Sequence, residues 1–255
     1  MILFVAGTSD ARELAIVVNE AGHNLLTTVV TDNAAIEMRK ADLDVYVGRL
    51  TSEGFAMMIK EKSVQAVVDA SHPFAEEASK NALLGAKEAG IPYIRYERES
   101  QTHEDKGITM VDTYEEAADK AFMKKGVIML TTGSKTLQTF TNKLLNQPNI
   151  RVVARMLPRK DNMEKCDQLG LPQKDIIAIQ GPFTKEFNRA LYKQYDVTTM
   201  ITKESGKAGS VDEKLEAAIE LGIEAIMIKR PKINYGNVYS NFADVLTHIN
   251  DVIKN

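Results

Sequence analysis

Cysteine is almost missing: the chain of 255 residues carries one, Cys166. A single thiol excludes an intramolecular disulfide and any cluster of thiolates. Histidine is also scarce. His23, His72, His103 and His248 are scattered without HxxxH or HExxH spacing, so no structural zinc or zincin-type site is expected and no metal is assigned. No apolar run approaches the roughly 20 residues that cross a bilayer. Basic charge is not in excess either. The net charge is −3, with no basic tail and no helix-turn-helix or RNP-type signature, which argues against a nucleic-acid partner. The first residues, Met-Ile-Leu-Phe-Val, show neither a basic n-region nor a small-residue cleavage site. A cytoplasmic protein with no membrane partner is expected.

What is present is ordinary globular material, 44% hydrophobic and 26% charged. Strand-like runs at Ile2–Val5, Leu25–Val30, Val45–Val47, Ala66–Val68 and Tyr93–Arg95 alternate with helical faces such as Ala11/Leu14/Ala15/Val18 and Ala75/Ala78/Ala82/Ala86. Gly22 and Gly90 stand where two of these helices should stop. A polar stretch, ERESQTHEDK at 97–106, marks the best boundary. Beyond it, strands are expected at Ile108–Val111, Val127–Leu130, Arg151–Ala154, Ile176–Ile179, Val197–Ile201 and Ala225–Ile228. Helical faces there are Tyr114/Ala117/Ala118/Ala121, Phe183/Phe187/Ala190/Leu191, Val211/Leu215/Ala218 and finally Phe242/Val245/Leu246/Ile249. Alternation of this kind implies parallel sheets with right-handed crossovers. The expected fold is α/β, two Rossmann-like lobes at 1–98 and 99–255 with a cleft between them.

The strand ends carry the chemistry. ILFVAGTSDA and VIMLTTGSKT echo one another: each is an apolar strand that ends in a Gly/Thr/Ser turn before a helix. Backbone N–H groups at such a turn, with a helix N-terminus behind them, suit a phosphate. The candidates are Gly7, Thr8, Ser9, Asp10 and Arg12 in the first turn, and Thr132, Gly133, Ser134 and Lys135 in the second. Each is equally readable as a plain strand–helix connection, with Ser9 or Asp10, and Ser134, as N-caps. DASHPFA places Ser71, His72 and Phe74 after another strand, where Pro73 holds His72 extended. His72 there is either a hydrogen-bonding residue of the framework or a functional group. QGPF, TKESGKAG, IKRP and Arg155 extend the same rim. Together they describe a long site lined by N–H donors and cations, for a large anionic ligand.

GTSDAR, DASHPFA, YIRYER, LTTGSKTL, QGPF and TKESGKAG, in this order over nearly the whole chain, resemble the precorrin-6A reductase family of cobalamin biosynthesis. DASHPFA and TKESG are the more specific pieces. The resemblance implies two Rossmann-like lobes and NADPH-dependent reduction of a macrocycle double bond in precorrin-6A, or its cobalt form, to give the precorrin-6B form. It implies that Gly7, Thr8, Ser9, Asp10, Arg12 and Thr31 hold the dinucleotide, with Gly133, Ser134 and Lys135 meeting cofactor or substrate. Ser71, His72, Phe74, Arg155, Lys203, Glu204, Ser205 and Gly206 would face the anionic tetrapyrrole, with His72 as proton donor or positioning residue.

Asp32 follows the second strand, where an acidic residue commonly binds the ribose 2′-hydroxyl of NAD and disfavours a 2′-phosphate. That rule and the NADPH expectation disagree. Two other readings are open: another NAD(P)-dependent reductase or epimerase, and a dinucleotide-sensing module without turnover. A short-chain reductase would need Tyr-x-x-x-Lys, and no tyrosine here has lysine at the fourth place. A sensor would have little use for polar strand ends in both lobes.

Overall fold

A computed structural model describes residues 1–99, 107–204 and 213–253. The chain forms two compact units, one made of Met1–Glu99 and Pro231–Asn255, the other of Ser100–Arg230.

In the first unit, β1 (Ile2–Val5), β2 (Leu25–Val29), β3 (Asp44–Val47), β4 (Ala66–Asp69), β5 (Tyr93–Tyr96) and a short β12 (Asn237–Tyr239) form one sheet. Its order is β12-β5-β4-β1-β2-β3, and every neighbouring pair is parallel. β1, β4 and β5 are buried along their full length, as strands covered on both faces must be, while β3 at the edge is partly exposed. The crossovers are α1 (Ser9–Glu20), α2 (Asp32–Arg39), α3 (Ser52–Glu61) and α4 (Glu76–Ala89). α1 illustrates how the sequence makes them. Thr8 is extended and its hydroxyl accepts the Ala11 N–H at 3.3 Å, Asp10 faces the positive end of the helix dipole, and Gly22 with positive φ follows the last turn. Leu14 and Val18 are fully buried, each contributing about 1.5–3 kcal/mol. Gly85 brings α4 against α3: a Cβ there would lie 2.5 Å from Phe55 Cβ.

The second unit repeats the plan. β6 (Ile108–Val111), β7 (Gly126–Leu130), β8 (Ile150–Met156), β9 (Ile176–Ala178), β10 (Thr199–Lys203) and β11 (Glu224–Ile228) form a parallel sheet of order β6-β11-β10-β7-β8-β9. The helices are α5 (Tyr114–Lys124), α6 (Leu137–Leu144), α7 (Lys160–Gln168), α8 (Lys185–Gln194) and α9 (Glu213–Glu220). Each unit is thus a five-stranded core plus one added parallel strand. In the second unit the addition, β6, precedes the core in the chain; in the first it is β12, supplied by the C-terminal segment. Among the described residues, no helix is long and apolar enough to cross a membrane.

The α/β class with two parallel sheets is as expected, but the second boundary is not. The expected 99–255 lobe ends at Arg230, because β12 pairs with β5 and α10 (Phe242–Val252) packs Val245 and Ile249 into the first core. The face expected at Phe183/Phe187/Ala190/Leu191 also shifts. α8 starts after Phe183, Ala190 is exposed, and Asn188 and Tyr192 turn inward. Val211 lies outside the described residues.

Candidate active site

In the first unit, β2 and β3 lie on one side of β1, and β4 and β5 on the other. The sheet reverses between β1 and β4, and open α/β sheets take ligands beyond the carboxyl ends of the strands at such a point. The two turns that flank it are Ala6–Ser9 and Ala70–Ala75, those of GTSDAR and DASHPFA. The second unit reverses between β7 and β10. Flanking it are the turn of LTTGSK and Lys203–Glu204 at the end of β10. GTSDAR and DASHPFA therefore share one switch point, and LTTGSK and the described start of TKESG, Thr202–Glu204, share the other.

At the first turn, Gly7 is exposed and a Cβ built there would meet nothing within 4 Å. The N-cap is Thr8, not Ser9 or Asp10, because Thr8 keeps the extended backbone that ends β1. Arg12 N–H goes to the Thr8 carbonyl, and the amides of Gly7 to Asp10 find no acceptor among the described residues. Open space, a glycine and unspent helix-end donors fit a phosphate. Asp10 is paired with Arg98 at 2.9 Å and Arg12 with Glu37 at 3.1 Å. Thr31 caps α2, its hydroxyl accepting the Ala34 N–H at 3.2 Å. Asp32, in the first turn of α2, is exposed.

The turn after β4 stands on a buried polar network. Asp69 and Arg95 form an ion pair of 3.0 Å with neither side chain exposed at all. Arg95 Nη1 also donates to Ser71 Oγ at 3.2 Å, and Nε to Glu97 at 3.2 Å. Asp69 accepts the Tyr93 hydroxyl at 2.6 Å and the Ser71 N–H at 2.9 Å. Burial, then the Asp69 carboxylate, push the Tyr93 hydroxyl up, so it stays a donor. Burial opposes the charge of Arg95, but its anionic neighbours, Asp69 first, outweigh this and its pKa is raised. The guanidinium lies 4.9 Å from the Tyr235 ring centre, and Ser71 Oγ is 3.1 Å from Ser79 Oγ. Upon this base His72 and Phe74 are half-buried, with ring centres 5.9 Å apart, and His72 Nδ1 accepts the Phe74 N–H at 3.2 Å.

In the second unit, Gly133 has φ +81° and leads into a single 3-10 turn, Ser134–Thr136, before α6 begins. Ser134 is not an N-cap: its hydroxyl donates to Asn162 Oδ1 at 2.5 Å, because α7 packs beside the turn. Lys135 is exposed. Lys203 ends β10 with its Nζ 5.4 Å from the Tyr114 ring centre. Burial foremost, then Lys135 and Lys214, hold its pKa below the ordinary lysine value. Glu204 is buried and accepts the Arg230 N–H at 3.2 Å, with the Arg230 guanidinium at 3.4 Å. Arg155 is buried, donating to Asn188 Oδ1 at 2.7 Å and lying 4.5 Å from the Phe183 ring centre. Ser205 and Gly206 lie outside the described residues.

Asp69, Tyr93, Arg95 and Tyr235 escaped the sequence reading. A charge inside the apolar strand YIRYER was the one visible signal for Arg95; Tyr235 sits some 140 positions away in a segment with no strand or helix pattern.

The family model described as precorrin-6x reductase CbiJ/CobK matches residues 1–250. The chain is 68% identical over 246 residues to the cobalt-precorrin-6A reductase of Priestia megaterium, covering 96% of each. It is 35% identical over 262 residues to that of Methanothermobacter thermautotrophicus, covering 99% of this chain and 84% of the relative. With the precorrin-6A reductase of Rhodococcus erythropolis it shares 28% over 241 residues, 91% of this chain and 90% of the other. Among solved structures, a CobK precorrin-6A reductase superposes with a TM-score of 0.79 at 24% identity, over 98% of this chain and 96% of that one. At that identity the likeness concerns the fold.

Proposed function

This chain belongs to the precorrin-6x reductase family and is an oxidoreductase of cobalamin biosynthesis; from that premise we propose that it uses NADPH to reduce a macrocycle double bond of cobalt-precorrin-6A. A nicotinamide cofactor and a corrinoid substrate follow from the family. The observation that carries the finer reading is the pairing of GTSDAR with DASHPFA at one switch point, and of LTTGSK with Thr202–Glu204 at the other. The cobalt form is preferred over the metal-free one because the 68% identical relative bears that name.

In this reading the amides of Gly7, Thr8 and Ser9 hold the pyrophosphate, and Arg12, with Thr31 just beyond β2, serves the ribose end. Asp10 fixes the turn through Arg98. Gly133, Ser134 and Lys135 meet a phosphate or carboxylate in the second unit. In the second unit Lys203 neutralises a substrate carboxylate, with Arg155 and Glu204 as further substrate-facing groups; in the first, Phe74 offers an aromatic face beside His72.

When bound, the nicotinamide supplies the hydride. The protein's own work is orientation, exclusion of water and placement of charge. His72 is a positioning group in this scheme. Its Nδ1 accepts the Phe74 N–H, which selects the Nε2–H tautomer and ties the ring to the turn. The scheme takes the proton that completes the reduction from solvent.

The test is turnover. NADPH oxidation is followed with cobalt-precorrin-6A and with precorrin-6A, and faster consumption is expected with the cobalt form. Tight NADPH binding without turnover of either would favour the sensing module.

A further inference from the structure

We propose that Arg95 is a positioning residue of the reaction: it acts through Ser71 and Asp69 to hold the 70–75 turn in its working conformation. The inference rests on the reading that this turn meets the substrate. A surface turn ordinarily has low local stability, since few buried contacts restrain it. This one has two unusual restraints. Arg95 Nη1 reaches the Asp69 carbonyl at 3.4 Å, the Asp69 carboxylate at 3.0 Å and Ser71 Oγ at 3.2 Å, so a single nitrogen spans the end of β4 and the start of the turn. The Asp69 carboxylate, in turn, takes the Ser71 N–H. Ser71 is thereby fixed from both its backbone and its side chain, one residue before His72.

The guanidinium is itself immobilised. Glu97 holds Nε, the Tyr235 ring covers its face, and Tyr93 fills the second oxygen of Asp69. Yet Nη2 is buried and has no hydrogen-bond partner among the described residues. Leaving a buried charged donor short of partners is costly, and a packed apolar pair would cost less at such a place. Stability alone is thus a poor reason for an arginine here. What an arginine supplies, and a lysine or an apolar residue does not, is a planar fork that grips several acceptors at fixed angles. That geometry is transmitted to His72, whose Nδ1–Phe74 contact depends on the turn keeping its shape.

The experiment compares Arg95→Lys with the wild type by kinetics and by ¹⁵N NMR of the histidine rings, His72 being assigned through His72→Ala. Arg95→Lys should fold, release His72 from its single Nε2–H form into a mixture of tautomers, and lower kcat/KM for the tetrapyrrole roughly tenfold, chiefly through a raised KM because the turn also carries Ser71 and Phe74, with kcat falling no further than in His72→Ala. The KM for the nicotinamide cofactor should stay within about twofold, well below the change that misplacement of reacting groups produces. If Arg95→Lys does not fold, the charge-neutral pair Asp69→Asn with Arg95→Gln takes its place with the same expected readouts. A wild-type His72 spectrum and wild-type kinetics in a folded Arg95 variant overturn the proposal. Should Ser71→Ala and His72→Ala both leave tetrapyrrole kinetics unchanged, the reading of the turn fails and the proposal with it. If they lower it while Arg95 variants do not, the proposal alone falls.

Discussion

Arg12 of α1 is bound to Glu37 of α2 across 3.1 Å, so the cation behind the GTSDAR turn is held toward the helix that begins at Asp32. Lys40 foremost, and then Arg12, hold the Glu37 carboxyl below the usual carboxylate range. A half-exposed pair of this kind adds little to stability. In the proposed reading this cation serves the ribose 2′-phosphate. Arg12→Ala should weaken NADPH binding roughly tenfold, about 1.4 kcal/mol, and leave NADH almost untouched. Calorimetric titration with both cofactors checks this, and equal losses for the two would remove Arg12 from the 2′-phosphate.

Gly7→Val tests the turn itself. The backbone is open at this position, so the fold should persist while the added branch occupies the approach of the phosphate. Dinucleotide affinity should fall at least roughly tenfold, about 1.4 kcal/mol, with an unchanged melting curve. Wild-type affinity would reduce GTSDAR to a connection.

His72→Ala separates orientation from proton transfer. A general acid is worth roughly 10²–10⁴-fold in rate. Because Nδ1 already accepts from Phe74, the expected loss in kcat is below about fivefold, well short of that range. A loss of a hundredfold or more, with an acidic limb removed from the pH profile, would make His72 the acid.

The sheets and most crossovers were legible in the sequence because strands buried on both faces read as apolar runs: Ile2–Val5 and Ala225–Ile228 are observed as expected. Strand order was not legible. That β1 neighbours β4, and β7 neighbours β10, depends on long-range pairing that no local pattern encodes, yet this is what joins the site motifs in pairs. β12 was missed for a related reason. Three residues with exposed faces carry no alternation, and only pairing with β5 defines them as a strand. Single polar partners, such as Asn162 for Ser134 and Glu37 for Arg12, were invisible because nothing in their own helices marks them.

Lys203 offers a pH signature. Burial, with Lys135 and Lys214, disfavours its charged form, so the unfolded chain holds this proton more tightly than the native one. The ligand-free protein should therefore gain stability as pH rises from the lowered pKa toward the ordinary lysine value. An anion that binds Lys203 favours the charged form, and its affinity should decline over the same interval. The tetrapyrrole KM should rise with pH there, Lys203→Ala should abolish that rise, and its penalty should be greater at low salt. A KM that is flat with both pH and salt in the wild type would take Lys203 out of the site.

Gly85→Ala tests the packing of α3 on α4. The new methyl would stand 2.5 Å from Phe55 Cβ and 2.9 Å from the Ser52 carbonyl, and a helix backbone cannot yield as a flexible side chain does. Despite the better helix propensity of alanine, a net loss of about 1–3 kcal/mol is expected from overpacking. Thermal unfolding measures it. An unchanged or raised midpoint would mean that the two helices move apart freely.

The choice between NADPH and NADH turns on Asp32. The carboxylate stands in the first turn of α2, exposed, where it complements the helix dipole beside the Thr31 cap. A residue with that local role has a reason to be acidic that does not involve ribose. In the proposed reading Arg12, now paired with Glu37, supplies the charge a 2′-phosphate requires when NADPH binds. On these grounds kcat/KM with NADPH should exceed that with NADH by at least roughly tenfold, about 1.4 kcal/mol of differential binding. Asp32→Ala should shift the ratio only slightly and cost some helix stability, on the scale of about 0.3–1 kcal/mol for a charge at a helix N-terminus. If NADH serves equally well or better, and Asp32→Ala reverses that preference, the carboxylate binds the ribose hydroxyls and the NADPH assignment is wrong.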